Sequence, residues 1–156
     1  MDFQALLGRF TAAVEAGDGK RLGALFTEDG VYHDTFYGEF RGPEAIADML
    51  ENDFWRDARD FRWEMMEPVQ AGDTGYARWL FSYTSRLPEA EGQRILFEGM
   101  SRFALEGGLI RHYGEVFDMG IALSQTNFPP ERIARILGRA AKGLRQRSAG
   151  TRHLPN

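Results

Sequence analysis

Residues 94–118 read RILFEGMSRFALEGGLIRHYGEVFD, the clearest structural signal in the chain. Apolar and polar side chains alternate on both sides of Glu106-Gly107-Gly108, a pattern typical of two half-buried strands joined by a tight turn. Two earlier runs, Phe61 to Met65 and Tyr76 to Arg86, alternate in the same way, with a turn at residues 73–75 between them. The sequence therefore predicts four hairpin-linked strands in an antiparallel, strongly curved sheet.

Helical patterns dominate the chain before these strands. Apolar residues recur at helical spacing from Phe3 to Val14, and Asp18 is placed to cap a short second helix whose last apolar position is Phe26. Residues 31–38 are β-branched and aromatic, which indicates a strand or a short hairpin. Residues 42–55 form a third predicted helix, with a proline near its start, where the missing N–H is harmless.

The order of these elements predicts an α+β fold, in which the N-terminal helices lie on the concave face of a cone-shaped sheet and leave a pocket. We assign residues 1–127 to this single cone domain. Residues 128–147 form an extra C-terminal helix, packed on the domain or on a dimer partner, and residues 148–156 are predicted to be a disordered tail.

The C-terminal helix carries two stripes. Its apolar stripe consists of Ile133, Ile136, Leu137, Ala140 and Leu144. Its basic stripe consists of Arg132, Arg135, Arg139 and Lys142. The basic stripe is consistent with a solvated face, a dimer element, or a site for anionic phosphates or lipid, and the first two are favoured.

Composition excludes several functions. The 156 residues include no cysteine, which excludes thiol nucleophiles, disulfides and cysteine-ligated metals. The net charge is −4, but the segment from Glu131 onward carries seven basic residues against one acid, which leaves a strongly acidic body. An acidic body argues against nucleic acid as a partner. Without a leader-like start or a long apolar run, we expect a cytoplasmic protein that does not bind membranes.

Four phrases of the chain resemble a known family: Phe10–Asp18, Leu25–Asp34, Gly42–Ile46 and Gly108–Asp118. In this order they are similar to the nuclear transport factor 2-like superfamily, and within it to the SnoaL-like polyketide cyclase and ketosteroid isomerase-like branch. The resemblance spans residues 3 to 120 and implies the cone fold, a small-ligand pocket and a homodimer. It does not imply one activity, because the fold hosts isomerases, epoxide hydrolases, cyclases, dehydratases and binding modules.

In ketosteroid isomerases an acid late in the first strand is the general base, and the resemblance places Asp34 there. The same enzymes use a Tyr and a protonated Asp as an oxyanion hole, and Phe10 and Ser101 stand at those positions here. One such donor is typically worth about 2.7–4 kcal/mol of transition-state stabilisation. The resemblance therefore does not extend to the ordinary ketosteroid isomerase mechanism.

Epoxide hydrolases of the limonene type use a Tyr and an Asn on the first strand, an Arg–Asp pair on a middle strand and an Asp on the last strand. Tyr32 and Asp34 stand at the first two places and Glu115 at the last. Trp79 and Phe81 replace the middle pair, so the resemblance implies a polar relay that is broken at its centre. SnoaL-like cyclases rely mainly on the last-strand acid, and a pair formed by Glu115 and Asp34 suits them best.

The two acids alternate with aromatic side chains that share their strand faces: Tyr32, Phe36, Tyr113 and Phe117. If these faces line the pocket, desolvation raises the pKa of at least one carboxyl, and repulsion separates the two pKa values. Such a pair can abstract a proton next to a carbonyl or activate a water. Alternatively, Asp34 caps the turn after its strand and Glu115 pairs with an arginine such as Arg78, Arg94 or Arg111.

The two histidines His33 and His112 lie on the strand faces opposite to these acids. We therefore interpret each histidine as a surface or interface residue. Two outward histidines and two inward acids do not converge on one ion, so the sequence predicts no metal site.

We expect a small-molecule enzyme without a cofactor that catalyses isomerisation, cyclisation or hydration of a small, apolar, cyclic substrate. Glu115 and Asp34 are the expected acid–base groups, and Tyr32 is the expected hydrogen-bond donor. The alternative is a non-catalytic binding or accessory domain with the same pocket. The expected ligand-binding residues are Phe10, Phe36, Trp55, Trp63, Trp79, Phe81, Ser101, Phe103 and Tyr113.

Overall fold

The structure is a computed structural model that describes residues 2–156. Within these residues six strands form one curved sheet that does not close. The strands are β1 (Phe26–Asp34), β2 (Gly38–Arg41), β3 (Ala58–Ala71), β4 (Thr74–Ser85), β5 (Arg94–Glu106) and β6 (Leu109–Phe117). Their order across the sheet is β2-β1-β6-β5-β4-β3.

Helices precede, interrupt and follow the strands. The α-helices are α1 (Phe3–Ala16), α2 (Gly19–Gly23), α3 (Pro43–Asp48), α4 (Trp55–Asp57), α5 (Met119–Ser124) and α6 (Pro130–Arg147). A π-helical segment, Met49–Phe54, joins α3 to α4, so the predicted third helix is one continuous helical stretch with a changed pitch. A single 3₁₀ turn, Pro88–Ala90, lies in the loop between β4 and β5.

The α+β cone is confirmed, and the strands β3 to β6 pair antiparallel through the predicted turns. The structure adds one parallel pairing, between β1 and β6, in which Tyr32 lies opposite Tyr113. This pairing joins the N-terminal part of the chain to the last strand. It cannot be read from alternation, because alternation predicts strands and not their neighbours.

The segment between α2 and α3 differs from the prediction at one point and confirms one of its alternatives at another. First, α2 ends at Gly23 and β1 begins at Phe26, which was expected to lie in the helix. Phe26 pairs with Ile110 of β6, and this tertiary pairing overrides the local helical spacing. Second, the chain turns after Asp34 and returns as β2, so residues 31–41 form a hairpin.

The core lies between α1 and the inner face of the sheet. Asp2 caps α1 by accepting the Ala5 N–H at 2.8 Å, and Gly17 ends the helix in the left-handed conformation. Phe10 of α1 is fully buried and stacks on Tyr32 with ring centroids 6.0 Å apart. The inner face of the sheet is therefore sealed at one end by an aromatic layer.

The last helix, α6, packs beside α5 and carries no fully buried side chain. Leu137 and Leu144 of its apolar stripe are exposed, so packing of this stripe on a partner stays a prediction. Residues 148–156 form turns with a bridge between Ala149 and Leu154, and their predicted disorder is not tested. None of the helices among residues 2–156 is both long enough and apolar enough to cross a membrane.

Candidate active site

A cavity of about 250 Å³ opens beyond the aromatic layer, between the inner face of the sheet and the helices α5 and α6. Its walls are mostly aromatic. The aromatic lining residues are Tyr32, Phe36, Tyr37, Phe54, Phe61, Trp63, Trp79, Phe81, Tyr83, Phe97, Phe117 and Phe128. The two carboxyls predicted from the sequence, Asp34 and Glu115, also line this cavity. The structure therefore brings the predicted acid pair into one apolar enclosure.

Asp34 ends β1 and is only 6% exposed. One of its oxygens, Oδ2, accepts the backbone N–H groups of Phe36 and Tyr37, each at 2.9 Å. Burial raises the pKa of Asp34 from its ordinary 3.8 to about 6, although the two N–H groups partly oppose this shift. The residue thus caps the turn after β1, as the alternative interpretation expected, and also lines the cavity.

Glu115 of β6 is half-buried and reaches the same point from the neighbouring strand. Its Oε1 accepts the Thr35 N–H at 3.4 Å, so Glu115 and Asp34 both bind the backbone of the turn at residues 35–37. Burial, and then the charge of Asp34, hold the pKa of Glu115 well above its usual range. Because the two acids interact directly, they titrate as a pair rather than as independent groups.

A chain of hydrogen bonds between largely buried side chains of β4, β5 and β6 ends at the carboxyl of Glu115. The indole N–H of Trp79 donates to Ser101 Oγ at 2.8 Å, Ser101 donates to the hydroxyl of Tyr113 at 2.9 Å, and Tyr113 donates to Glu115 Oε2 at 3.2 Å. An indole can only donate, so Ser101 Oγ is the acceptor in the first bond of the chain. Trp79 and Phe81 stand where the epoxide hydrolases have the Arg–Asp pair, and Trp79 instead begins a different hydrogen-bond chain that ends at Glu115.

The arginines that could have neutralised Glu115 bond elsewhere. Arg78 pairs with Glu67 at 2.9 Å, and Arg94 donates to Ser82 Oγ at 2.7 Å. Within residues 2–156 no ion pair involves Glu115 or Asp34. The two carboxyls therefore interact with hydrogen-bond donors and not with a cation.

Tyr32 is fully buried beside the acids, with its ring centroid 4.5 Å from that of Tyr113. Burial, followed by the nearby Tyr113, raises the pKa of Tyr32 well above its usual range. The phenol therefore stays protonated at any physiological pH. The role of its hydroxyl as a hydrogen-bond donor to a ligand stays a prediction.

The expected ligand-binding residues occupy two levels. Four of them line the cavity: Phe36, Trp63, Trp79 and Phe81. Four lie beneath its floor in the buried core: Phe10, Ser101, Phe103 and Tyr113. The ninth, Trp55, packs outside the cavity against Phe61, and its indole N–H donates to the Val14 carbonyl at 3.4 Å. Contact of these residues with a ligand stays a prediction.

The mouth of the cavity contains residues that the sequence alone did not assign to it. Arg132, Ile136 and Arg139 of α6 line it. The guanidinium of Arg132 lies 3.7 Å above the ring of Phe128 and pairs with Glu89 at 2.6 Å. The basic stripe was the available signal, but its position depends on the direction that α6 takes after Pro129-Pro130.

The two histidines face the other side of the sheet, as predicted, and there they meet a carboxylate. His33 Nδ1 lies 3.7 Å from Glu39 Oε1, and the ligand atoms of His33, Glu39 and His112 all lie within 4.8 Å of one another. Glu39 belongs to β2, the short strand that the sequence did not resolve as a separate element. These three side chains are the group in residues 2–156 that could hold a metal ion.

Comparison with known proteins places this geometry in a family. The profile of the SnoaL-like domain matches residues 7–113. No curated protein matches the sequence of this chain. A protein of ketosteroid isomerase-like fold from Catenulispora acidiphila, solved with trimethylamine, is 18% identical, with 80% of this chain and 93% of that chain covered and a TM-score of 0.71.

Two further solved structures are similar to this chain. TsrD from Streptomyces laurentii is 22% identical, with 80% of this chain and 96% of that chain covered and a TM-score of 0.68. An LEH-like epoxide hydrolase from M. tuberculosis is 16% identical, with 89% and 94% covered and a TM-score of 0.63. At these identities the structures show a shared fold.

Proposed function

The chain belongs to the SnoaL-like domain family, and we propose that it is a small-molecule enzyme that moves a proton on a small, mainly apolar substrate. Isomerisation, cyclisation and hydration all begin with such a transfer. The observation that carries the proposal is the position of Asp34 and Glu115, which bind the backbone of the same turn, residues 35–37, inside one aromatic cavity and have no ion-pair partner within residues 2–156. Buried acids without a cationic partner are rare unless they have a function.

The hydrogen bonds divide the roles between the two acids. Asp34 accepts two backbone N–H groups at 2.9 Å, whereas Glu115 accepts one at 3.4 Å, so the negative charge is better stabilised on Asp34. Asp34 is therefore the base that removes a proton from a carbon next to a carbonyl. Glu115 remains protonated and donates to an oxygen that gains charge, with Tyr32 as a second donor. Asp34 then returns its proton to another carbon, which completes an isomerisation without a net loss or gain of protons.

The cavity also limits the substrate. About 250 Å³ with aromatic walls accommodates one or two rings. Arg132 and Arg139 stand at the mouth, and Arg139 forms no ion pair within residues 2–156. We therefore expect a substrate with an apolar body directed toward Asp34 and a carboxylate or another anionic group directed toward α6.

A non-catalytic binding domain is the second candidate. The observation in its favour is that Asp34 already has a structural task, because it caps the turn at residues 35–37. In such a protein the acid pair would only order the hairpin, and the cavity would bind a ligand without changing it.

Proton exchange distinguishes the two candidates. A panel of cyclic ketones, with and without a carboxylate, is incubated with the protein in D₂O, and exchange at the α-carbon is followed by NMR. Binding of each compound is measured separately by quenching of tryptophan fluorescence, since Trp63 and Trp79 line the cavity. Enzyme-dependent exchange that Asp34→Asn abolishes supports the enzyme. Ligands that bind without exchange contradict it and favour the binding domain.

The cytoplasmic location stays a prediction.

We further propose that the protein forms a homodimer through the outer face of the sheet. Large apolar side chains are exposed on that face: Leu80, Leu96, Met100 and Val116, at 38–71%. Exposed apolar groups of this size favour burial against a partner. Light scattering tests the proposal: a dimer mass that Val116→Glu halves supports it. A monomer mass, or a dimer that only Leu144→Glu on α6 dissociates, contradicts it.

A further inference from the structure

Three neighbouring strands bring two histidines and a glutamate together on the outer face of the sheet. His33 of β1 pairs directly with Glu39 of β2 in the antiparallel hairpin. On the other side of β1, Val31 pairs with His112 of the parallel strand β6. The positions of all three side chains are thus set by backbone pairing in the sheet and not by a flexible loop.

The distances suit a shared ion. One ligand atom from each of the three residues lies within 4.8 Å of the other two, and His33 Nδ1 is 3.7 Å from Glu39 Oε1. Bonds of about 2.0–2.2 Å to one tetrahedral ion require ligand atoms about 3.3 Å apart. Small side-chain rotations close this difference, because the histidines are half-buried and Glu39 is exposed.

The chemistry of the three groups selects a class of ion. Two imidazoles and one carboxylate suit borderline first-row dications such as Zn²⁺, Co²⁺ and Ni²⁺ better than Mg²⁺ or Ca²⁺, which prefer oxygen ligands. Three protein ligands leave at least one position for water. A plain ion pair between His33 and Glu39 accounts for two of the side chains but gives no reason for His112 beside them.

We propose that His33, Glu39 and His112 form a binding site for a divalent transition-metal ion, with Zn²⁺ as the preferred occupant. The bound ion links the edge hairpin, β1 and β2, to β6. This site is independent of the cavity and of the proposed enzymatic activity, since its ligands face away from Asp34 and Glu115.

The chain offers its own control for a test. It contains three histidines, and the third, His153, lies in the exposed tail far along the sequence from the other two. Tag-free full-length protein is stripped with a chelator, and Zn²⁺ affinity is measured by competition with a chromophoric chelator. We expect one ion per chain. Loss of a ligand in His33→Ala or His112→Ala weakens binding by more than about 100-fold, since even residues that only support a ligand are worth 10–100-fold, whereas His153→Ala leaves binding unchanged.

A measurement on the unaltered protein guards against variants that fail to fold. Zn²⁺ should shift the imidazole ¹⁵N resonances of His33 and His112 together, at equimolar metal, and leave those of His153 in place. Added Co²⁺ should give the visible absorption of a low-coordinate site. The proposal is overturned if the protein binds no Zn²⁺ below millimolar concentration, or if the resonances of His153 shift as strongly as those of the other two.

Discussion

The two faces of β1 and β6 carry different chemistry in adjacent residues. On the inner face, Asp34 and Glu115 lie among aromatic rings, and burial raises both of their pKa values. On the outer face, one residue before Asp34, His33 is half-buried and stands with His112 and Glu39 within reach of solvent. The same strands therefore position an acid–base pair on one side and potential metal ligands on the other. The aromatic cover of the inner face raises the pKa values of its acids, whereas the solvent access of the outer face leaves its side chains free to bind an ion.

The largest expected effect is the loss of enzymatic activity when an acid on the inner face of the sheet is replaced. Asp34→Asn and Glu115→Gln should each lower the rate of α-carbon exchange by about 10²–10⁴-fold, the usual contribution of a positioned acid or base. Zn²⁺ affinity should stay within a factor of about two in Asp34→Asn, because the neighbouring side chains point away from Asp34. Glu98→Gln, an exposed change on the outer face of β5, is the matched control and should leave exchange intact. Exchange that survives in both acid variants would refute the assigned roles.

The next effect concerns stability and pH. Folded Asp34 releases its proton near pH 6, whereas in the unfolded chain it does so near 3.8, so the folded protein binds more protons between these values. The free energy of unfolding of the unaltered protein should therefore fall, relative to that of Asp34→Asn, by about 2 kcal/mol as the pH rises from 4 to 7. Urea unfolding of both proteins between pH 4 and pH 7 measures the difference. Parallel curves would show that Asp34 is not desolvated.

A smaller effect tests the support behind the inner face. Tyr113→Phe removes the donor to Glu115 and leaves the Ser101 hydroxyl without its acceptor in a buried environment. We expect a loss of about 1–3 kcal/mol in the free energy of unfolding. The pKa of Glu115 should rise further, since the bond from Tyr113 lowers it. Carboxyl NMR of Glu115 provides the second measurement, and an unchanged resonance would contradict the relay.

The smallest expected effect concerns Arg139 of α6, at the mouth of the cavity. Arg139→Gln should weaken binding of an aryl carboxylate by a few-fold, consistent with the ~0.2–1 kcal/mol of an exposed charge pair. Binding of the corresponding uncharged amide should not change. Arg135→Gln, one helical turn away and outside the cavity lining, is the control. If both arginine variants lose the same amount of affinity, the overall positive charge of α6 attracts the carboxylate and Arg139 makes no specific contact with it.

Much of the fold was predictable because its signals are local. The spacing from Phe3 to Val14 and the alternation of β3 to β6 each report the burial of one face, and the structure confirms them. The inward position of Asp34 and Glu115 was predictable in the same way, because each alternates along its strand with aromatic residues on the same face. Their shared contact with the turn at residues 35–37 was not, because it depends on the parallel pairing of β1 with β6.

Other parts of the site required tertiary information. Ser101 was expected to bind a ligand, which stays a prediction, and its place in the middle of the hydrogen-bond chain is created only by the register of β4, β5 and β6. Glu39 escaped notice because a four-residue strand has too few positions to show a period. The arginines of α6 reach the mouth through the path of the chain after Asn127, which no periodicity describes.

The parallel pairing of β1 with β6 also has a consequence for the order of folding. Thr35 and Glu115 touch across 80 residues of chain, whereas β3 to β6 connect through short turns. Closing so long a loop costs more conformational entropy than forming a hairpin, and contacts of this kind slow folding. We expect the four hairpin strands to form early and β1 to dock late. On the ribosome, the acid pair would then exist only after the last strand has emerged.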